Sequence, residues 1–179
     1  MSFDRSFTPV FLGLELFINH MRAKNFFILF LWLALVHQYA FSQQKTALLP
    51  VTKVVDGDTF WVLNSKGQEE KIRLIGVDSP EARNSGRKRI EYFGKESSAY
   101  AKRILEGQKV RLEYDVQRYD RYQRTLAYVY LEDGRFFNAL LVQEGYATVA
   151  TFPPNVKYES LFIKLQREAR TKGKGLWGK

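Results

Sequence analysis

The sequence predicts an α+β domain, a small five-stranded β-barrel of the OB type carrying three helices. Three observations support that expectation. Leu48 to Asp56, Thr59 to Leu63 and Lys71 to Val77 are β-rich runs spaced closely enough to pair as a meander. Val110 to Val116 and Thr125 to Leu131 alternate like two further strands around a polar turn. Helical spacing follows the third strand and again the fifth, which suits a barrel of this kind.

In chain order, the N-terminal segment stands apart. Arg22 and Lys24 form a basic start after Met21, and an apolar run extends from Phe26 to Val36. Ala40-Phe41-Ser42 then offers small residues at −3 and −1 of a cleavage site before Gln43. Residues 21–42 therefore read as an export signal, with Met21 as an alternative start to Met1. Cleavage would make the domain secreted or periplasmic. Retention would anchor it, although the apolar run is short for a bilayer core of about 30 Å. The region 1–42 is set aside on this reading, and the folded domain is expected over residues 47–179.

Within that domain, Asn64-Ser65-Lys66-Gly67 is a turn cluster between the second and third strands. Residues 82–91 are basic and aperiodic, a surface loop. Phe93, Ser97, Tyr100, Ala101, Ile104 and Leu105 then share one helical face, with Gly107 as a C-terminal stop. Asn138 is placed to cap a short helix ending at Gly145. Beyond Pro153-Pro154, a last helix runs from about Lys157 to Thr171, with Leu161, Phe162, Leu165 and Ala169 facing inward. Tyr100, Tyr128 and Tyr130 fall at core or barrel-wall positions by the same periodicities.

Charge and the missing residue types narrow the chemistry. Lys plus Arg number 28 against 19 Asp plus Glu, a formal charge of +9. Residues 1–42 hold only Arg5, Arg22, Lys24, Asp4 and Glu15 of these, so the surplus belongs to the domain. Such a surplus suits an anionic partner, nucleic acid or a membrane surface, or simple solubility. No cysteine is present, which excludes disulfides, thiolate metal sites and cysteine nucleophiles. The two histidines, His20 and His37, lie in the N-terminal segment. Catalysis in the domain must therefore use carboxylates, Arg, Lys, Tyr or hydroxyls.

Two polar clusters interrupt apolar strands. Asp56-Gly57-Asp58-Thr59 turns between the first and second strands; alone it would pass for an ordinary hairpin turn. Asp78-Ser79-Pro80-Glu81 ends the third strand, and Arg73 within that strand calls for a carboxylate or phosphate partner. If the meander brings both clusters to one barrel end, Asp58, Asp78 and Glu81 form an oxygen-rich pocket suited to a hard cation such as Ca²⁺. Strict alternation puts Arg73 and Asp78 on opposite faces; a bulge near Gly76, or Asp78 lying beyond the strand end, would reconcile them. A third cluster, Asp120-Arg121-Tyr122-Gln123-Arg124, leads into Thr125-Leu126-Ala127-Tyr128-Val129 and alone would be a solvated turn.

Together the three clusters resemble, in order and spacing, the signature stretches of the staphylococcal nuclease (thermonuclease)-like family. Those stretches are Val54–Thr59, Ile72–Glu81 and Asp120–Val129 here, with further similarity at Tyr92–Ser97, Val142–Ala147 and Gly175-Leu176-Trp177. The resemblance covers nearly everything from about Ala47 to Trp177. It implies a five-stranded OB-type barrel with three helices and one Ca²⁺, acting as an endonuclease on DNA and RNA. The bond cut would be the 5′ P–O bond, leaving 3′-phosphate ends.

Carried over by position, Asp58, Asp78 and the Ser79 backbone carbonyl correspond to the metal ligands, with Asp56 in the outer shell through water. Glu81 corresponds to the proposed general base, and Arg73 and Arg124 to the pair that binds the phosphate. Arg121 and Tyr122 match a nucleotide-contacting pair. No obligate protein partner is implied, and a monomer is expected. Ser79 stands where the family often has threonine, and Gln123 where glycine is common. Thr151-Phe152-Pro153-Pro154 replaces a stretch with two tyrosines, leaving Phe152 for base stacking. Arg83, Arg87, Lys88 and Arg89 form either a phosphate-tracking loop or a solvated one. The alternatives to a nuclease are a catalytically silent nucleic-acid-binding module of the same fold and a membrane-tethered polyanion binder. Against the first stands the intact set Asp58, Asp78, Glu81, Arg73 and Arg124.

Overall fold

A computed structural model describes residues 45–84 and 89–178, all within the unit Gln44–Lys179. Residues 21–42 of the expected export signal, and Arg87 and Lys88 of the basic loop, lie outside the described residues. The strands are β1 Leu49–Val54, β2 Thr59–Leu63, β3 Glu69–Leu74, β4 Gly76–Asp78, β5 Lys109–Glu113, β6 Thr125–Leu131 and β7 Thr148–Ala150. The helices are α1 Gly94–Leu105, α2 Phe137–Gln143 and α3 Glu159–Thr171, followed by a single 3₁₀ turn at Gly175–Trp177.

Five strands close a barrel in the order β1-β2-β3-β6-β5, as expected for the OB type. All ladders are antiparallel except β3–β6, which is parallel with Ile72 opposite Thr125 and Arg73 opposite Leu126. Alternation fills the interior: Phe60 and Val62 of β2, Ile72 and Leu74 of β3, Val110 and Leu112 of β5, and Ala127 and Val129 of β6 are buried. Helix α1 buries Gly94, Ser97, Ala101 and Leu105, the three- and four-residue spacing of one face. Tyr100 stacks on Tyr146 with ring centroids 4.0 Å apart, and Tyr128 is buried, so both serve packing.

Three expectations need correction. The run Lys71–Val77 is not one strand. β3 ends at Leu74, and β4 leaves the barrel to pair with β7, a short strand the sequence did not signal. The break lies at Gly76, whose φ of +77° is open to glycine and costly for other residues. A Cβ there would also stand 2.6 Å from the Phe162 ring on α3.

Asn138 is not a cap. It is the second residue of α2 and buried; it accepts from the Val129 amide at 2.9 Å and donates to the Ile75 carbonyl at 2.9 Å. It thus ties β6 to the bend before Gly76. Leu161 faces outward and is exposed, because the stripe of α3 that packs inward passes through Phe162, Leu165 and Ala169.

A polar cluster closes the barrel on the β5 side. Glu113 accepts from Lys157 Nζ at 2.6 Å and Tyr158 OH at 2.9 Å, and its side chain is 2% exposed. Burial opposes ionisation of Glu113, but hydrogen bonds from Lys157, Tyr158 and Tyr130 outweigh it and hold the carboxyl below its ordinary 4.5. A depressed carboxyl stabilises the fold above its unfolded-state value, and that contribution is lost as pH falls through the lower folded value. Glu113→Gln is expected to destabilise the fold at neutral pH by up to about 3 kcal/mol, since Lys157 loses its buried partner. It should also flatten the acid limb below the ordinary value. Urea unfolding at a series of pH values checks both.

Candidate active site

Steric closeness, more than chain direction, joins the first two clusters. The Asp56–Thr59 turn closes through Val55 and Asp56 amides on the Thr59 carbonyl. Gly57 then lies so near Ser79 that an added Cβ would stand 2.3 Å from Ser79 Oγ. This approach lets the Ser79 amide donate to Asp58 Oδ2 at 2.7 Å, while Thr59 Oγ1 donates to Asp58 Oδ1 at 3.0 Å. Asp56 Oδ1 accepts from the Asp58 amide at 3.2 Å, which holds a second carboxylate beside the first. Burial raises the Asp58 carboxyl above its ordinary 3.8; the Arg73 guanidinium pulls it down and the Asp56 charge pushes it up, with the net direction upward.

Arg73 links Asp58 to Asp78. Its Nη2 donates to Asp78 Oδ1 at 2.7 Å, and its Nη1 lies 3.3 Å from Asp58 Oδ2. Nη1 also donates to the carbonyls of Leu74 and Val77, at 3.0 and 2.8 Å. The left-handed turn at Gly76 answers the alternation problem: it swings the chain round so that Asp78, five residues on, meets the side chain of Arg73. The three side chains grade from buried Asp58 through half-buried Arg73 to Asp78, whose side chain is 61% exposed. One carboxylate is thus shielded while the other faces solvent.

Arg124 is aimed by Asp120. Asp120 Oδ2 accepts from Arg124 Nε at 2.7 Å, and Oδ1 accepts from the amides of Tyr122 and Arg124 at 2.8 and 2.9 Å. Burial opposes the Asp120 charge, but the amide and guanidinium of Arg124 and the Tyr122 amide hold its carboxyl below the ordinary 3.8. Asp120 is a positioning residue that the sequence offered only as part of a charged turn. Gln123, which completes the turn, sits at φ +61°, a left-handed conformation costing a non-glycine residue about 1–2 kcal/mol. Gln123→Gly is expected to raise stability by about 0.5–1 kcal/mol after the extra freedom of the unfolded chain is counted. Gln123→Val should lower it, and the pair of melting temperatures checks the sign.

The remaining expected residues are placed with less convergence. Glu81 follows β4; its amide donates to Glu91 Oε2 at 3.1 Å and its carbonyl accepts from the Glu91 amide at 3.0 Å. Arg121 lies with its guanidinium 4.7 Å from the exposed Tyr122 ring, and Arg124 lies 5.6 Å from the same ring. Phe152 is 74% exposed on the turn after β7.

Among the described residues no three His, Cys, Asp or Glu side chains gather as a ready metal cluster. Two of the three expected carboxylates, Asp58 and Asp78, are joined through Arg73. This donor set still fits a hard cation that keeps part of its water shell. Asp58 is a buried carboxylate crowded by Asp56, a tension that a cation relieves, and every nearby donor is oxygen.

Comparison with known proteins places the chain in a family. Residues 71–179 match the family model described as staphylococcal nuclease homologue. The thermonuclease of Staphylococcus intermedius is 44% identical over 127 residues, covering 71% of this chain and 74% of that protein. The thermonuclease of Staphylococcus hyicus is 42% identical, with 71% and 73% covered. Endonuclease YncB of Bacillus subtilis is 33% identical over 140 residues, spanning 77% of this chain and 65% of that protein. On the extent of these matches and on its closed barrel, this chain belongs to the staphylococcal nuclease family.

Proposed function

We propose that this chain is a Ca²⁺-dependent endonuclease that hydrolyses DNA and RNA at the 5′ P–O bond, leaving 3′-phosphate ends. Membership of the family makes it a nuclease, a phosphodiester hydrolase; the metal, the bond cut and the residue roles are what is proposed beyond that. The observation that carries the proposal is the joining of Asp58, Arg73 and Asp78 at one barrel end, beside the Asp56 carboxylate.

Asp58, Asp78 and the Ser79 carbonyl would hold the ion, with Asp56 reaching it through water. Bound there, Ca²⁺ supplies polarisation of a phosphoryl oxygen. Arg73, tethered to Asp78 and two carbonyls, gives a fixed positive wall against the phosphate. Arg124 adds donors where negative charge grows in the transition state. Glu81 takes the proton of the attacking water, a task open to a carboxylate where the domain has no histidine. Arg121 and Tyr122 meet the neighbouring nucleotide, and Phe152 stacks on a base.

A site of so few carboxylates binds Ca²⁺ weakly, of order 10⁻⁴–10⁻³ M, and fills outside a cell rather than in a cytosol. That affinity supports reading residues 21–42 as an export signal and the domain as secreted or periplasmic. Among the described residues no helix is long and apolar enough to cross a membrane.

The test is product chemistry beside one variant. The wild-type products should carry 5′-hydroxyl ends that polynucleotide kinase labels without prior phosphatase, and Glu81→Gln should lower kcat by about 10²–10⁴. Products with 5′-phosphate ends would contradict the assigned bond, and an unchanged kcat in Glu81→Gln would remove Glu81 from the chemistry.

A further inference from the structure

Trp61 is half-buried on the outer face of β2, away from the core. Alternation along β2 turns Phe60 and Val62 into the barrel and leaves Trp61 on the outside. It belongs neither to the buried core nor to the partly buried residues packed against that core. Cross-strand register flanks it instead with two cations, Lys53 on β1 and Lys71 on β3. Lys71 Nζ lies 5.6 Å from the Trp61 ring centroid.

The same register connects this patch to the active site. Lys71 and Arg73 are two residues apart on β3, so both side chains leave the barrel on one face, about 7 Å apart along the strand. Ile72 pairs with Thr125 at the start of the parallel ladder, and Lys71 and Arg124, the residues just before them, line the same groove.

A groove of about 930 Å³ is lined by Trp61, Lys71 and Arg124, and Arg73 follows Lys71 by two residues on β3. One wall carries Trp61 and Lys71; the other carries Arg118, Tyr119, Tyr122 and Arg124. Tyr119 and Tyr122 are 49% and 64% exposed, with Arg118 lying 5.9 Å from the Tyr119 ring and Arg121 4.7 Å from the Tyr122 ring, so cations and aromatic planes already alternate here. Lys45 and Lys66 add charge along the rim. The two carboxylates present, Glu69 and Glu70, each accept a hydroxyl, from Thr52 and Thr125 respectively, and are outnumbered by the five cations. Cations interleaved with exposed aromatic planes are what an unpaired nucleic-acid strand requires, phosphates meeting the cations and bases stacking on the rings.

We propose that this groove is an extended strand-binding subsite, in which Lys71 takes the phosphate next to the one at Arg73 and Arg124, and Trp61 stacks a base further along. The proposal rests on the reading of Arg73 and Arg124 as the scissile-phosphate site. It assigns the groove to unpaired DNA or RNA of several nucleotides. The acidic pair Glu69 and Glu70 marks the stretch of wall that the phosphates avoid.

The test uses the full chain, with a dinucleotide and an oligothymidylate of about eight nucleotides as substrates. Binding of the labelled oligomer is measured separately in EGTA, where cleavage is suppressed. The wild type should favour the oligomer in kcat/KM, and Trp61→Ala should shrink that length preference about tenfold and weaken oligomer binding by a similar factor. Trp61→Phe should restore most of both. Lys71→Met should lower the salt slope of oligomer binding by about one. A purely structural role for Trp61 would depress both substrates alike, leave the length preference intact, and overturn the proposal. So would oligomer binding in Trp61→Ala equal to that of a wild type that cleaves normally. A wild type that binds the oligomer through Trp61 yet cleaves nothing would leave the groove standing and sink the nuclease reading instead.

Discussion

Arg124→Ala is expected to lower kcat by about 10²–10³ while KM changes far less, the pattern for a group used chiefly in the transition state. Among the described residues, the Arg124 side chain hydrogen-bonds only through Nε, to Asp120. Arg124 lines the groove, and in the proposed site its two Nη groups meet two phosphate oxygens at once. Arg124→Lys should recover little, because an ammonium has neither the fork nor the Nε anchor that aims it. Asp120→Ala should cost less than Arg124→Ala, on the order of tenfold, because the guanidinium survives but loses its aim. Combining the two should add almost nothing beyond Arg124→Ala. Steady-state kinetics on one oligonucleotide distinguishes these cases. Arg73 differs in kind: its Nη groups are already committed to Asp78, Asp58 and two carbonyls, so Arg73→Ala should cost stability as well as rate.

Asp58→Asn should separate function from stability. Burial, helped by the Asp56 charge, raises the Asp58 carboxyl, so the ionised form carries a desolvation cost in the folded state. A raised carboxyl stabilises below its unfolded value of about 3.8, and that contribution is lost as pH rises through the folded value. At neutral pH the amide therefore relieves a cost, and the melting temperature without Ca²⁺ should not fall. Cleavage should drop by at least about 10²-fold, because a metal-binding charge has gone. Calorimetric Ca²⁺ titration should show the affinity lost with it. A variant that melts much lower than wild type would mean that Asp58 is chiefly a structural partner of Arg73 and Ser79.

Much of this was legible in the residues themselves. β2 and β6 were read to the residue, because Thr59–Leu63 and Thr125–Leu131 are β-rich runs bounded by turn residues. The meeting of Asp58, Arg73 and Asp78 followed from two polar clusters interrupting apolar strands. The break at Gly76 was legible only as one of two ways to reconcile Arg73 with Asp78, since Ile72–Val77 otherwise reads as one continuous strand, and the chain's turn toward β7 and Phe162 is what separates its halves. Asn138 looked like a cap because capping and core-bridging use the same side-chain groups; burial decides between them. The Trp61 face was silent for a related reason: a tryptophan in a strand looks like core until its neighbours show which side is in. Gly57 against Ser79 and Asp120 against Arg124 are contacts of geometry that no spacing rule encodes.

The most direct measurement is cleavage of denatured DNA and of RNA by the purified chain, with Ca²⁺ varied from EGTA-chelated to about 10 mM, a span that brackets the expected affinity. Cleavage that is absent in EGTA, rises with Ca²⁺ and is half-maximal between about 0.1 and 1 mM is the expected result. Full-rate cleavage in EGTA, or a folded chain that cleaves neither substrate at any Ca²⁺ level, would contradict the account.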